Sequence, residues 1–470
     1  MSSSSLVFRR MSWLGLLTLA MAVLLGACGD SAASSTALPA ATAAATTAAA
    51  ASAATTAAGA AATTAAAGTA ATTAAAGATE IAPNPGISGN VRLTTATSSA
   101  EEDAIVAQQL ANFAKVYPNV KVQREIIASD YDTKIKTSIA GGNAPDVFYV
   151  DSLIVPDYIN GKVLEPLNSY ADKNKLNAGD FYPALTKAFT GPDGKLYGLP
   201  KDHNTLVMFY NKEMFQKAGV TSVPTTSEEL KTALDKLKAI MPAGTVPLAA
   251  DPDLARVLPW VYAFNGTMLS PDGKSSQVSG EGFKKGLNFY YGLRQAGLSK
   301  KSSEIGAEWA GDALIKEKAA VAFEGGWLIP PLNKTPTKDK VGIAALPKGA
   351  TQATMDFTVG YVMSSKAKDK DAAFALLSFL TSESQQRLLS DTGLALPSRQ
   401  SLTAAFVQKY PERKPLVDST TFARPWQFGV GFGGFADKVN PELQALFSGS
   451  KPEDQVIKAI DDLVKERVTQ

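Results

Sequence analysis

From residue 85 onward the apolar positions switch repeatedly between two periods. Val91 and Leu93 alternate with polar neighbours and predict a short strand, whereas Val106, Leu110, Phe113 and Tyr117 recur at steps of four, three and four and predict an amphipathic helix. Ser98 and Glu101 have the spacing of a capping box that starts this helix. A strand over 120–126, a helix carrying Ile135 and Ile139, and a strand over 146–150 behind Pro145 continue the alternation. After Pro200 come a strand over 205–210, a short helix ended by Gly219, and a helix with Leu230, Leu234, Leu237 and Met241 on one face. Thr226 and Glu229 form the expected capping box of that helix. Phe283, Leu287 and Tyr290 mark another helix, stopped by Gly297, and strands follow over 319–323 and 341–346. Trp309, with Leu314 nearby, is assigned to the packed face of a helix. Ser450, Pro452 and Glu453 open a last helix whose inward stripe is Val456, Ile460 and Leu463. Strands alternating with helices imply a parallel α/β architecture, and no repeat of solenoid length interrupts it.

The first part of the chain has a different pattern. Arg9 and Arg10 precede an apolar run from Trp13 to Leu25, which is the layout of a secretory signal and is too short to read as a stop-transfer helix. Leu25, Gly26, Ala27 and Cys28 resemble the bacterial lipobox, so residues 1–27 are expected to be a lipoprotein signal peptide and Cys28 the lipidated residue. A plain cleaved signal with an incidental cysteine, or an uncleaved anchor, is the alternative. Residues 28–84 are almost wholly Ala, Thr, Ser and Gly and read as a flexible tether, open to O-glycosylation.

Composition narrows the possibilities further. Cys28 is the single cysteine, which excludes an intrachain disulfide, a cysteine-based zinc cluster and a cysteine nucleophile in the folded part. With 46 Lys plus Arg against 44 Asp plus Glu, and no long basic block, nucleic acid is not an expected partner. The apolar fraction of 45% is inflated by tether alanine. The segment 85–470 is too long for one core and fits two lobes.

Four strings then point to a family. Residues 140–151 read AGGNAPDVFYVD, residues 194–211 read GKLYGLPKDHNTLVMFYN followed by Lys212, Phe215, Ala218 and Gly219, residues 323–331 read FEGGWLIPP, and a returning segment spans 358–399. Together and in this order they resemble the extracellular solute-binding proteins of bacterial ABC sugar importers, the maltose-binding-protein-like family. The resemblance implies an α/β, two-lobed periplasmic-binding-protein-like (type II) fold that closes by hinge bending. Lobe 1 is expected to comprise 85–202 and 357–394, and lobe 2 to comprise 203–356 and 395–470. Crossings are expected near 200–204, just before Thr358, and near 394–398, with Pro200 and Pro397 stiffening the chain beside the bends. It also implies a monomer, held at the membrane by its lipid, that captures a mono- or oligosaccharide and passes it to the permease subunits of an ABC importer, without a cofactor or metal.

A pyranose offers apolar C–H faces and a hydroxyl edge, so its pocket needs flat aromatic surfaces and polar groups around them. Trp327, behind Gly325 and Gly326, is the first candidate platform and matches the family's stacking aromatic; Trp260 and Trp426 are the others. Polar candidates lie at the ends of strands, where α/β proteins place ligands: Ser98 and Glu101 with Thr97, Asp151 and Ser152, and His203 and Asn204. Helix capping is the rival role for Ser98 and Glu101, and a solvated turn for Ser152. Some relatives have a carboxylate where Asn204 stands. Arg424, before Pro425 and Trp426, would favour an anionic group, which keeps an acidic sugar or another small polar solute open as the ligand.

An enzyme is the rival class. One histidine and one cysteine leave no histidine-rich metal site and no cysteine protease, and no nucleophile elbow, Walker loop or post-strand GxGxxG is present. A carbohydrate-active surface enzyme would need only two spaced carboxylates and stays open as the lesser alternative. The glycine-rich run Gly429, Gly431, Gly433 and Gly434, interleaved with Phe428, Phe432 and Phe435, reads as a flexible pocket wall.

Overall fold

The structure is a computed structural model and describes residues 84–97 and 99–469. The signal segment, Cys28, nearly all of the tether and Ser98 lie outside the described residues.

Two α/β lobes are built on two sheets. The chain lays down β1 (Gly89–Ala96), β2 (Val120–Ile127), β3 (Val147–Asp151) and β4 (Gly198–Thr205) in the first sheet, then β5 (Val207–Asn211), β6 (Val246–Ala249), β7 (Ser299–Lys300), β8 (Ala319–Glu324) and β9 (Val341–Ala344) in the second. It returns to the first sheet with β10 (Thr354–Met363), β11 (Leu396–Pro397) and β12 (Ala423–Pro425). The first sheet runs in the order β11-β4-β10-β3-β1-β2, with β12 pairing β10, and the second runs β7-β6-β8-β5-β9.

The sheets are mixed rather than wholly parallel. Strands β1, β2 and β3 are parallel, as expected of βα units, but β10 enters antiparallel between β3 and β4. Likewise β5 is antiparallel to both β8 and β9. The reason is connectivity, because β5 and β10 each begin just after the chain has changed sheets and run against their neighbours. Residues 200–204 lie inside β4, paired with β10, and the chain leaves the first sheet at Leu206. There the Leu206 amide donates to the Met355 carbonyl at 3.1 Å and the Thr354 hydroxyl to the Leu206 carbonyl at 2.7 Å, so two crossings are stitched side by side.

Local sequence explains the elements. The helix Ser227–Ile240 buries Leu230, Ala233, Leu234 and Leu237, and the Thr226 hydroxyl caps it by accepting from the Glu229 amide at 3.1 Å. The Glu229 carboxylate reaches back to the Thr225 amide, one residue beyond the box expected from spacing. The helix Ala100–Val116 is capped by Ser99, which accepts from the Glu102 amide at 3.1 Å, so the cap lies one position beyond the predicted Ser98. Its buried face includes Ile105, Val106 and Phe113, with Tyr117 stacking on Phe113 from just beyond the end. The last helix, Glu453–Val468, buries Val456, Ile457, Ile460 and Val464, while Leu463 is only partly covered.

In β5 successive residues face opposite cores. Met208 packs with Leu234, Leu258, Trp260 and Phe323, whereas Val207 and Phe209 pack with Leu314, Leu328 and Leu416. This is the period of two written into a strand covered on both sides. The first lobe has its own core around Phe113, Phe148, Phe189 and Phe374. The glycine-rich run is not a loose wall: the Gly431 and Gly433 amides donate to the Asp157 carboxylate, and Phe432 and Phe435 are buried in the core.

Candidate functional site

Where the ends of β1, β3 and β4 face the end of β8, a cavity of about 740 Å³ opens. Its two walls differ in chemistry. The wall from the second sheet is flat and apolar, made by Trp309, Trp327, Pro330 and Pro331. The wall from the first sheet is polar, with Thr97, Glu102, Asp132, Asp151, Lys201 and Asp202, and Asn204 contributes from the crossing strand.

Each tryptophan owes its pose to a glycine. A Cβ on Gly325 would lie 2.3 Å from the Trp327 ring, and one on Gly311 would lie 2.1 Å from the Trp309 ring, so each indole lies against a bare Cα. Neither glycine has positive φ; the requirement is close approach. Gly326 serves the neighbouring Asn204 in the same way, since a Cβ there would sit 2.3 Å from the Asn204 amide oxygen. That oxygen has no hydrogen-bond partner among the described residues and is poised beside the cavity.

The polar wall holds a lysine among carboxylates. Lys201 Nζ donates to Glu102 Oε1 at 2.7 Å and also bonds Asp202 Oδ2, and it stands 5.2 Å from the centre of the Tyr149 ring. Burial opposes its charge, but Asp202 and Glu102 outweigh burial and hold the ammonium firmly protonated. The Tyr131 hydroxyl bridges the strand ends, accepting from the Tyr149 amide at 2.9 Å and lying 3.2 Å from the Thr94 carbonyl. At the rim, exposed Glu101 pairs with Lys334 of the opposite wall at 2.8 Å.

Asp151 ends β3 and accepts the Leu153 amide at 2.8 Å. Burial raises its carboxyl to about 7; the Leu153 hydrogen bond opposes the rise and the charge of Asp132 adds to it. The unfolded carboxyl titrates near ~3.9, so between that pH and about 7 the folded protein binds more protons and its stability falls as pH rises. Asp151→Asn therefore gains stability relative to the parent at pH 8 and not at pH 4. Denaturant unfolding of both proteins at the two pH values checks this, and an equal difference at both would remove the account.

Several residues singled out from the sequence lie elsewhere. Trp260 is 1% exposed and packed in the core against Phe289 and Phe323. Trp426 is buried against Phe357 and Phe428, and Arg424 is exposed with its guanidinium 4.7 Å from the centre of the Tyr262 ring. Ser152 is buried and its hydroxyl donates to the Trp426 carbonyl at 3.1 Å. His203 is 1% exposed, with Nδ1 3.0 Å from Asp356 Oδ1, a pair inside the sheet. Cavity-lining residues that sequence reading passed over include Glu102, Asp132, Lys201 and Asp202. Trp309 is corrected in part: it is the residue before the helix Ala310–Ile315 rather than within it, packs in part against the core of Leu314 and Leu328, and also lines the cavity. The signal was present in the order Trp-Ala-Gly, a tryptophan two residues from a glycine, as Gly325 is from Trp327. Among the described residues no group of His, Cys, Asp and Glu is arranged to hold a metal ion.

With this geometry, the chain belongs to the bacterial extracellular solute-binding proteins, whose family pattern matches residues 108–415. It is 24% identical over 384 residues to a binding protein of Brucella abortus, covering 79% of this chain and 91% of that one. It is 23% identical over 322 residues to the maltooligosaccharide ABC transporter solute-binding lipoprotein of Streptococcus pneumoniae, covering 63% and 71%. Its fold is similar to that of an ABC substrate-binding protein of Listeria monocytogenes solved with cycloalternan, with a TM-score of 0.74, 21% identity and coverage of 81% and 98%.

Proposed function

We propose that this protein is a lipid-anchored receptor that captures a saccharide in the cleft and delivers it to the permease subunits of an ABC importer. The observation that carries the reading is the cavity itself, with two tryptophans and two prolines along one wall and carboxylates, a lysine and an amide along the other. The apolar wall suits the C–H faces of sugar rings, and the polar wall suits their hydroxyl edges. A volume of about 740 Å³ leaves room for an oligosaccharide. The relatives that bind maltooligosaccharides or cycloalternan support this class of ligand.

An uncharged sugar is preferred to a uronate. Arg424, the one residue that favoured an anion, lies outside the cavity, and both cavity lysines already pair with carboxylates. Closure is by bending where the chain passes between the two sheets, at Leu206 and just before β10, and the receptor acts as a monomer. Thermal unfolding of the purified protein with maltotriose, arabinotriose, cellobiose and a galacturonate trimer tests the ligand class. A sugar present at 100 times its dissociation constant raises stability by ~2.7 kcal/mol. Stabilisation by the uronate alone would overturn the uncharged reading, and recovery of a chemically altered sugar after long incubation would turn the receptor into an enzyme.

Two narrower predictions follow from the same reading. Trp309→Ala weakens binding of the stabilising sugar about tenfold, the size of a well-buried aromatic contact, and also lowers melting, because the ring packs in part against the core. A melting loss with unchanged affinity would leave Trp309 with the packing role alone. The anchor rests on the Leu25–Cys28 string, and the native protein is expected to carry diacylglycerol on Cys28; mass spectrometry without that adduct would sink it.

A further inference from the structure

Behind the Trp327 platform a buried carboxylate pairs with a partly exposed arginine, an arrangement that ligand contact does not account for. Glu324, the last residue of β8, is 2% exposed, and its Oε2 accepts from both the Trp327 Nε1 at 2.8 Å and the Arg256 Nη2 at 2.7 Å. Arg256 comes from the helix Leu254–Ala263 and stands with its guanidinium carbon 5.8 Å from the centre of the Trp327 ring. That arginine is itself fixed: its Nη1 lies 3.6 Å from Asp253 Oδ1, the oxygen that caps the helix by accepting the Arg256 amide at 3.0 Å. Phe357 meets the indole edge-on at 5.6 Å.

A pair with one buried charge is a poor way to add stability, because taking the Glu324 carboxylate out of water offsets its attraction to the partly exposed Arg256. An indole N–H beside a wet cleft could have used water as its acceptor. What the pair does provide is direction. The carboxylate holds the nitrogen edge of the ring, the guanidinium lies within cation–π range, and bare Gly325 Cα allows the ring to lie flat against the backbone.

We propose that Glu324 and Arg256 are positioning residues that hold the Trp327 indole in a single orientation, so that the cleft presents a preformed stacking face to the ligand. The proposal rests on the saccharide reading for its functional meaning, but the orientation itself can be measured without a ligand. If the ring is free to turn, only the fraction of molecules with the face exposed binds, and the apparent dissociation constant rises by the inverse of that fraction.

The test uses protein labelled with ¹⁵N at the indole nitrogens, with the Trp327 signal identified by its disappearance in Trp327→Phe. In the parent this N–H is expected downfield and slow to exchange with solvent. In Glu324→Ala it moves upfield and exchanges fast, and affinity for maltotriose falls about tenfold. Glu324→Gln keeps an acceptor oxygen and restores affinity to within about threefold of the parent, as expected when one neutral hydrogen bond replaces a charged one. Adding Glu324→Ala to Trp327→Ala costs no further affinity, because the carboxylate acts only through the ring. If Glu324→Ala does not fold, Arg256→Met is read by the same resonance. An unchanged and still protected Trp327 N–H in the variant that folds overturns the proposal, whatever happens to melting. Failure of maltotriose to bind the parent counts against the ligand reading alone, since the resonance still decides the positioning role.

Discussion

Calorimetric titration of Trp327→Ala is expected to show sugar affinity about 30-fold or more weaker than the parent, a loss of ~2 kcal/mol or more, with the melting temperature lowered far less than the affinity. The size follows from what the ring does. Trp327 is half-buried, lies against Gly325, and exposes part of its surface to the cavity, so its contact with a sugar face is desolvated only in the complex. Truncation removes that platform and leaves the Glu324 carboxylate without one of its two donors, which is a local loss. Unchanged affinity in a folded Trp327→Ala protein would move the binding face elsewhere in the molecule.

Trp260→Ala tests the opposite role. This ring is 1% exposed, with ring centres 4.6 Å from Phe289 and 5.4 Å from Phe323, and the alanine variant leaves a cavity that a packed core cannot fully close. Unfolding in denaturant is expected to lose about 3–5 kcal/mol, the range for aromatic-to-alanine changes in cores. The Trp260 indole nitrogen has no hydrogen-bond partner among the described residues, so no buried acceptor is orphaned and the lower half of the range is favoured. The fraction that stays folded should bind sugar as the parent does. A strong affinity loss without a stability loss would place Trp260 at the ligand, against its position in the core.

The two tryptophans also show where sequence reasoning reached its limit. Local periodicity determined much of the fold: Phe283, Leu287 and Tyr290 do line the buried face of the helix Glu281–Gln295, and Thr226 does cap the helix Ser227–Ile240. These features depend on residues a turn or two apart, and backbone geometry alone brings such residues together. The environment of Trp327 was legible for the same reason, since the glycine its ring lies against is two residues away.

What the sequence could not decide was which apolar residue faces a core and which faces the cleft. Trp260 and Trp309 both stand among helix-forming neighbours, yet one is enclosed by Phe289 and Phe323 and the other opens onto the cavity. Lys201 becomes part of the polar wall only when the fold brings Glu102 to it from 99 positions away, and Trp327 is oriented by an arginine on a helix that precedes β8, whose partner Glu324 is 68 positions further on. The direction of β5 and β10 was hidden for a related reason, because strand sense depends on where the chain changes sheets. A periodic pattern records that a side chain must leave water, but its partner, and hence its chemistry, is set by contacts between segments far apart in sequence, which only the tertiary structure creates.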